Sequence, residues 1–278
     1  MIILNLQGGI GNQIFQYNFA LLLANRLNTK IIINDEIIRR GNFKNELFRL
    51  GIKHKKFSSM MGRILYFLCS VVYKFNLRKL INSRYLYFYL DPETGYDPTI
   101  ESIKSKVIFL NGYFQSYDYL DANFHAIQDS IYNSMPCIPP SNQNCDQVCV
   151  HIRRGDYLDA ANKQIFCQIS MDYYHKALQL LNKKFDGKLL FKIFSNDIEY
   201  CKANFNDSNY RIIFVQNNDP IDDFKEMICC KHFIISNSTF SLLASIYSKS
   251  DDKLLIAPKK WFNHKKEHSI VPSSYLRI

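Results

Sequence analysis

Two adjacent arginines end a β-branched run and are followed at once by a glycine and a carboxylate, in Val148-Cys149-Val150-His151-Ile152-Arg153-Arg154-Gly155-Asp156-Tyr157. A guanidinium is a planar fork of N–H donors that meets phosphate oxygens two at a time, so this pattern suits an anion clamp. The run alternates with the period of two that a strand imposes. Val148, Val150 and Ile152 therefore share one face, and Cys149, His151 and Arg153 the other. Gly155 breaks the strand, and Asp156 is close enough in sequence to hold one fork. Taken alone, an arginine pair reads as a solvated strand end, but two further polar stretches change the weighing. Phe194-Ser195-Asn196-Asp197-Ile198-Glu199 combines a helix cap with a carboxylate, Asp197, suited to accept from guanine N–H groups or ribose hydroxyls. Ile234-Ile235-Ser236-Asn237-Ser238-Thr239-Phe240-Ser241 sets small hydroxyl and amide residues at a strand-to-helix turn. Such a turn presents hydroxyls and free helix N–H groups together, a neutral cradle for a diphosphate. Either of these two by itself is plain helix capping. All three at one sheet edge point to a nucleoside-diphosphate site.

The elements that must carry these ends follow from hydrophobic period. After residue 146, strands are expected at 147–153, 189–194, 211–215, 232–235 and 253–257, with helices at 171–184, 197–205, 220–229 and 239–248 between them. Such alternation implies right-handed crossovers and a parallel, doubly wound sheet. Ligands of open parallel sheets bind outside the carboxyl ends of the strands, where Arg153, Ser195 and Ser236 emerge. The first half repeats the theme, with a strand over 1–6, the loop Gln7-Gly8-Gly9-Ile10-Gly11-Asn12-Gln13, a helix from Ile14 to Leu27 and a strand over 30–34. An irregular basic interval over 37–63 follows, then strands at 85–90 and 107–114 and a helix over 119–133. Three prolines between Met135 and Asn142 mark a boundary. The expected organisation is thus α/β, with two Rossmann-type domains whose parallel sheets face a cleft: 1–138, and 139–278 with a C-terminal tail.

The glycine loop is not a dinucleotide fingerprint, which needs a small residue where Ile14 stands, nor a P-loop, which needs Gly-Lys-Ser/Thr. The chain of 278 residues is 47% hydrophobic, enough for real cores, with a net charge of +10. Residues 1–80 hold thirteen Lys/Arg against three Asp/Glu, the whole surplus. That asymmetry predicts attraction to an acidic partner: nucleic acid, anionic lipid or anionic glycan. Within the basic stretch 53–79 lies the apolar run Ile64–Tyr73, about half the length needed to cross a bilayer. It reads either as a helix lying on an anionic membrane surface or as a core helix with solvated basic ends. The eight cysteines are irregularly spaced and read as free thiols, and Cys145-x-x-x-Cys149 has no second pair to complete a zinc site. The opening Met-Ile-Ile-Leu-Asn-Leu has no basic leader, so the expected compartment is the cytoplasm, with the sequons at Asn206 and Asn237 chance matches.

Gly8-Gly9-Ile10-Gly11-Asn12-Gln13-Ile14-Phe15-Gln16-Tyr17, His151-Ile152-Arg153-Arg154-Gly155-Asp156-Tyr157 and Ser236-Asn237-Ser238-Thr239-Phe240-Ser241 together resemble three hallmark segments of the α-1,2-fucosyltransferases of glycosyltransferase family 11. The resemblance implies a GT-B-like fold, an acceptor-side N-terminal domain and a C-terminal donor domain. It also implies GDP-β-L-fucose as donor, inversion at the fucose anomeric carbon, and no cofactor or metal. Its acceptor would be a galactoside 2-hydroxyl in an oligosaccharide or lipid-linked O-antigen intermediate, reached from the cytoplasm or the inner membrane face. The absence of an Asp-x-Asp triplet agrees with metal independence. Within that reading Arg153 binds the β-phosphate of the departing GDP, and Arg154 braces Asp156. Ser195, Asn237, Ser238, Thr239 and Phe240 line the phosphate side, and His151 and Asp197 orient the nucleoside or support Arg153. From the other domain Gly9, Gly11 and Gln13 approach the donor, and Asn12 positions donor or acceptor. Asp118, Asp156 and Asp159 are open candidates for a general base. Asn18 stands where the family usually has alanine, and Leu242-Leu243 where it often has tryptophan. The competing readings are a same-fold transferase using another sugar nucleotide and a basic nucleic-acid-binding protein. The second leaves the hydroxyl cluster at 236–241 unexplained, so no nucleic-acid partner is expected.

Overall fold

Short β-branched and aromatic runs separated by helical stretches build two parallel sheets, each with helices packed against it. The computed structural model describes residues 1–41, 43–92, 95–120, 123–135, 146–205, 209–217, 219–263 and 270–278, except the side chains of Asp156 and Leu158. The chain divides into two compact units, one built on Met1–Ser134 and the other on Met135–Glu267 with Val271–Ile278. The domain boundary expected at 138/139 lies outside the described residues, as do Cys145 and Asn206.

The first unit runs β1 (Ile2–Asn5), α1 (Ile10–Arg26), β2 (Ile31–Asn34), α2 (Glu36–Arg40), α3 (Glu46–Arg49), β3 (Lys55–Lys56), α4 (Ser59–Lys74), α5 (Arg78–Ile81), β4 (Leu86–Leu90), β5 (Val107–Asn111) and α6 (Phe124–Asn133). All pairings in its sheet are parallel, in the order β3-β2-β1-β5-β4. β1 lies at the centre with every residue buried, which is why Ile2-Ile3-Leu4 is continuously apolar rather than alternating. The chain winds outward from β1 to β2 and β3 and returns to pair β5 on the other side of β1. The carboxyl ends of β1 and β5 therefore part at a topological switch point. An aromatic cluster fills the space beneath, with Phe19 stacked on Phe114 at 4.1 Å and edge-on to Tyr119 at 4.8 Å.

Four sequence expectations are corrected here. The first helix starts at Ile10, not Ile14, so Gly11, Asn12 and Gln13 are its first turn and Gly9 its N-cap. The interval 37–63 is not irregular: α2, α3 and β3 occupy it, held by buried carboxylates. Asp35 and Glu36, 8% and 4% exposed, gather Arg39, Arg40 and Lys56, so part of the basic surplus is neutralised locally. The strand expected to run to Phe114 stops at Asn111, because Gly112 and Phe114 take positive φ values of 146° and 52°. A 3-10 turn, Tyr117–Tyr119, then precedes α6, which begins at Phe124 rather than 119.

The second unit runs β6 (Gln147–Ile152), α7 (Ala160–Ile165), α8 (Met171–Lys184), β7 (Leu190–Ser195), α9 (Ile198–Asn204), β8 (Arg211–Val215), α10 (Pro220–Ile228), β9 (His232–Ile234), α11 (Thr239–Tyr247), β10 (Leu255–Ala257) and β11 (Leu276–Arg277). Its sheet is also wholly parallel, ordered β11-β10-β9-β6-β7-β8. The expected alternation is present, with the short β11 as an unanticipated edge. Val148, Val150 and Ile152 face one core with Tyr174, Leu178 and Phe191. β6 pairs β7 on one side and β9 on the other, so this sheet has its own switch point between the ends of β6 and β9.

Candidate functional site

In the second unit the three polar strand ends lie side by side on β9, β6 and β7, and those of β6 and β9 meet at that switch point. His151, near the end of β6, is 4% exposed, and its Nδ1 lies 2.8 Å from Ser241 Oγ and 3.0 Å from Ser236 Oγ. Burial, and then the neighbouring Arg153 charge, push its pKa down to about 3, so the ring is neutral across the physiological range. The side chain ties the β6 end to the turn after β9. Arg153 follows, half-buried, with its guanidinium carbon 5.6 Å from the ring centroid of Tyr157. Tyr157 in turn stacks on Phe166 at 4.4 Å and donates its hydroxyl to the Asn237 carbonyl at 3.1 Å. Beside it, Ser238 caps α11 by accepting from Phe240 N, while Thr239 and Phe240 remain half-buried at the mouth of the turn.

Several expected ligands are engaged with the protein instead. Asn237, 1% exposed, donates its amide to the carbonyls of Cys167 (2.8 Å) and Trp261 (2.9 Å), so it anchors the turn rather than presenting a side chain. The expected contact of Arg154 with Asp156 falls on a side chain outside the described residues. Among the described groups Arg154 has other partners. It pairs with Asp197 at 3.2 Å and lies 3.4 Å over the Tyr200 ring. Asp197 also caps α9 by accepting from Tyr200 N, and Ser195 accepts from Asp197 N at 3.0 Å. The Phe194–Glu199 stretch is thus a brace for the arginine loop. Gly155 fits into it with φ +24°, where an added side chain would overlap the Asn196 amide that holds Arg154 N at 3.0 Å.

In the first unit the loop after β1 is built by glutamines. Gln13, fully buried, donates to the carbonyls of Gly8 and Lys44, both at 2.8 Å, and accepts from Glu46 N at 2.9 Å. Both amide hydrogens and one lone pair of its carbonyl are used internally, so this buried side chain shapes the loop. Gln16 pins the same loop by exchanging two hydrogen bonds with the Gln7 backbone at 3.0 and 2.8 Å. Asn12 is half-buried and accepts from Gln115 Nε2 at 2.8 Å, a contact that bridges the β1 and β5 ends. Gly11 is buried, and Gly9 has open space where a side chain would go. Sequence reading did not single out Gln16, Gln115, Asn196 or Tyr157. Gln16, Asn196 and Tyr157 lie inside the quoted segments with no role of their own there, and Gln115 lies outside all of them and carries no sequence signal.

The model of glycosyl transferase family 11 matches residues 1–276. The chain belongs to that family. Two Escherichia coli relatives align along nearly the full length of both partners: the O-antigen biosynthesis glycosyltransferase WbnK, 27% identical over 98% of this chain and 99% of its own, and an alpha-1,2-colitosyltransferase, 27% identical over 100% and 99%. The rat galactoside alpha-(1,2)-fucosyltransferase 2 is 29% identical over 37% of this chain and 30% of its own. Among solved structures, POFUT1 in complex with GDP-fucose aligns over 90% of this chain and 94% of its own, with a TM-score of 0.46 and 10% identity. The protein is therefore a glycosyltransferase with fucosyltransferase relatives. The two departures from the family pattern are both core positions: Asn18 is fully buried and donates to Ile14 O at 2.9 Å, and Leu242 and Leu243 are fully buried in α11. Their side chains belong to the buried interior, and Leu242 N donates to Ser238 O at 3.1 Å in the first turn of α11. Among the described residues no cluster of three His, Cys, Asp or Glu is placed to hold a metal.

The depressed histidine has a measurable consequence. Between pH 6.5 and about 3 the unfolded chain protonates residue 151 and the folded chain does not. Acidification from pH 6.5 to 5 therefore removes about 2 kcal/mol of stability through this one residue. Urea unfolding of wild type and His151→Asn at the two pH values is expected to show that difference in slope. Equal slopes would mean that the ring titrates normally.

Proposed function

We propose that the protein transfers L-fucose from GDP-β-L-fucose, with inversion and without a metal, to a galactoside 2-hydroxyl of an O-antigen type glycan. The observation that carries this reading is the Arg153 guanidinium just past the end of β6, 5.6 Å from the ring centroid of Tyr157, whose hydroxyl donates to the Asn237 carbonyl in the turn after β9. The bond from the anomeric carbon to the β-phosphate oxygen breaks, and the electron pair leaves with GDP. The acceptor oxygen bonds to the opposite face of that carbon and passes its proton to solvent water. Negative charge therefore grows on the β-phosphate as the sugar gains oxocarbenium character. A guanidinium fixed there stabilises the transition state more than the ground state, which is the role a divalent cation would otherwise fill. Asn12, steadied by Gln115, is the polar group that the glycine loop of the first unit offers to a sugar.

Sugar identity has one serious rival. A relative of equal identity and coverage is named for transferring colitose, so GDP-colitose is the alternative donor. Calorimetric titration with GDP, followed by transfer assays with GDP-fucose and GDP-colitose in the presence of a chelator, tests the proposal. GDP binding with chelator-insensitive transfer from GDP-fucose to a galactoside is the expected result. Transfer from GDP-colitose alone would replace the donor, and absence of GDP binding would end the reading.

A further inference from the structure

We propose that the outer face of α4 docks on an anionic lipid surface. The helix carries two apolar faces. One is buried: Gly62, Cys69 and Val72, with Leu65 and Tyr73, pack over Ile3, Phe88 and Phe109 of the sheet. Gly62 belongs there because an added side chain would meet Asn34 Oδ1 at 2.9 Å. The opposite face of a sheet-packed helix is ordinarily polar. On α4 it is not. Met60, Ile64, Phe67 and Leu68 are 72%, 46%, 65% and 50% exposed, and Phe75 just past the end is 64% exposed. At 100° per residue these positions fall on one stripe, and Leu80 of α5 is also 84% exposed.

What covers such a stripe is indicated by charge. Arg63 and Lys74 flank it on the helix, and Arg78 and Lys79 follow in α5. Between Glu46 and Asp91 the sequence holds nine Lys/Arg and no carboxylate. Of the flanking four, Arg63 has a carboxylate near it, Glu36 at 3.8 Å, and is itself 69% exposed. An apolar stripe inside a predominantly basic surround matches acyl chains beneath anionic head groups. A second copy meeting the stripe face to face would set basic rim against basic rim. No described helix is long and apolar enough to cross a membrane, so the contact would be peripheral. It leaves the groups at both switch points untouched and is independent of which sugar is transferred.

Flotation of the full chain with vesicles containing about 30 mol % phosphatidylglycerol, against pure phosphatidylcholine, tests this without any substrate. Binding to the anionic vesicles alone is expected, weakening as salt rises. Phe67→Ser with Leu68→Ser is expected to lower the partition coefficient at least about tenfold. Lys74→Glu is expected to lower it by about fivefold for each unit of charge. Both variants should keep wild-type circular dichroism and GDP affinity, since the altered side chains are exposed. Phe67→Trp adds a reporter whose emission should shift to the blue on anionic vesicles, against a lone native Trp261 that is 1% exposed. Three results would each overturn the proposal: no flotation at low salt, equal flotation with both vesicle types, or a dimer in sedimentation velocity that the double serine variant dissociates.

Discussion

Arg153→Lys is expected to reduce kcat by about three orders of magnitude while changing GDP affinity by no more than about tenfold. The charge is retained, so ground-state attraction for a diphosphate largely survives. What is lost is the fixed two-donor geometry at the oxygen that becomes charged only as the glycosidic bond breaks. An interaction realised in the transition state appears in kcat; one made equally in both states appears in KM. Arg154→Lys is the informative contrast. That guanidinium is held by Asp197 at 3.2 Å and by the Tyr200 ring, so its replacement should loosen the loop and move KM more than kcat. Initial-rate measurements on the two variants decide the matter. An Arg153→Lys enzyme within tenfold of wild-type kcat would remove the assignment of the leaving-group cation.

The contrast between the two arginines also shows which parts of the structure were legible from residue order. Alternation and helical period place β6 and α11 to within a residue or two, because burial of Val148, Val150 and Ile152 on one face demands that register. The gathering of Arg153 and Ser238 at one sheet edge followed from the crossover rule. Residue type does not reveal which polar partner a side chain meets. Gln13 and Asn237 have the chemistry of ligands but bury it in backbone carbonyls, and Asp197 divides itself between a helix cap and Arg154. Buried polar groups must be paired, and the pairing is settled by tertiary contacts between distant segments. The basic, apolar stretch 53–79 was ambiguous for a related reason. A sequence window cannot separate a helix with one apolar face from one with two, and α4 has two.

Gly112→Ala is expected to cost about 3 to 5 kcal/mol of stability, although the position reads as the interior of a strand. Its φ of +146° is one that L side chains rarely adopt. An added Cβ would overlap that of Asp91 and come within 3.2 Å of the Asp91 Cα, which is backbone and has little room to move. Asp91 is 8% exposed, and its Oδ2 accepts from Tyr113 N at 3.1 Å and Phe114 N at 2.6 Å. Displacing it leaves a buried carboxylate short of both donors and unseats Phe114 from its 4.1 Å stack on Phe19. The turn continues to Gln115, which holds Asn12, so the damage should reach the β1–β5 switch point as well as the core. Gly9→Ala separates the two kinds of glycine, because nothing lies within 4 Å of its added Cβ and its φ of −83° is ordinary. Urea midpoints should fall steeply for the first variant and barely for the second. A Gly112→Ala chain as stable as wild type would show that the turn beyond β5 can relax, and the link from Asp91 through Gln115 to Asn12 would then lose its rigidity argument.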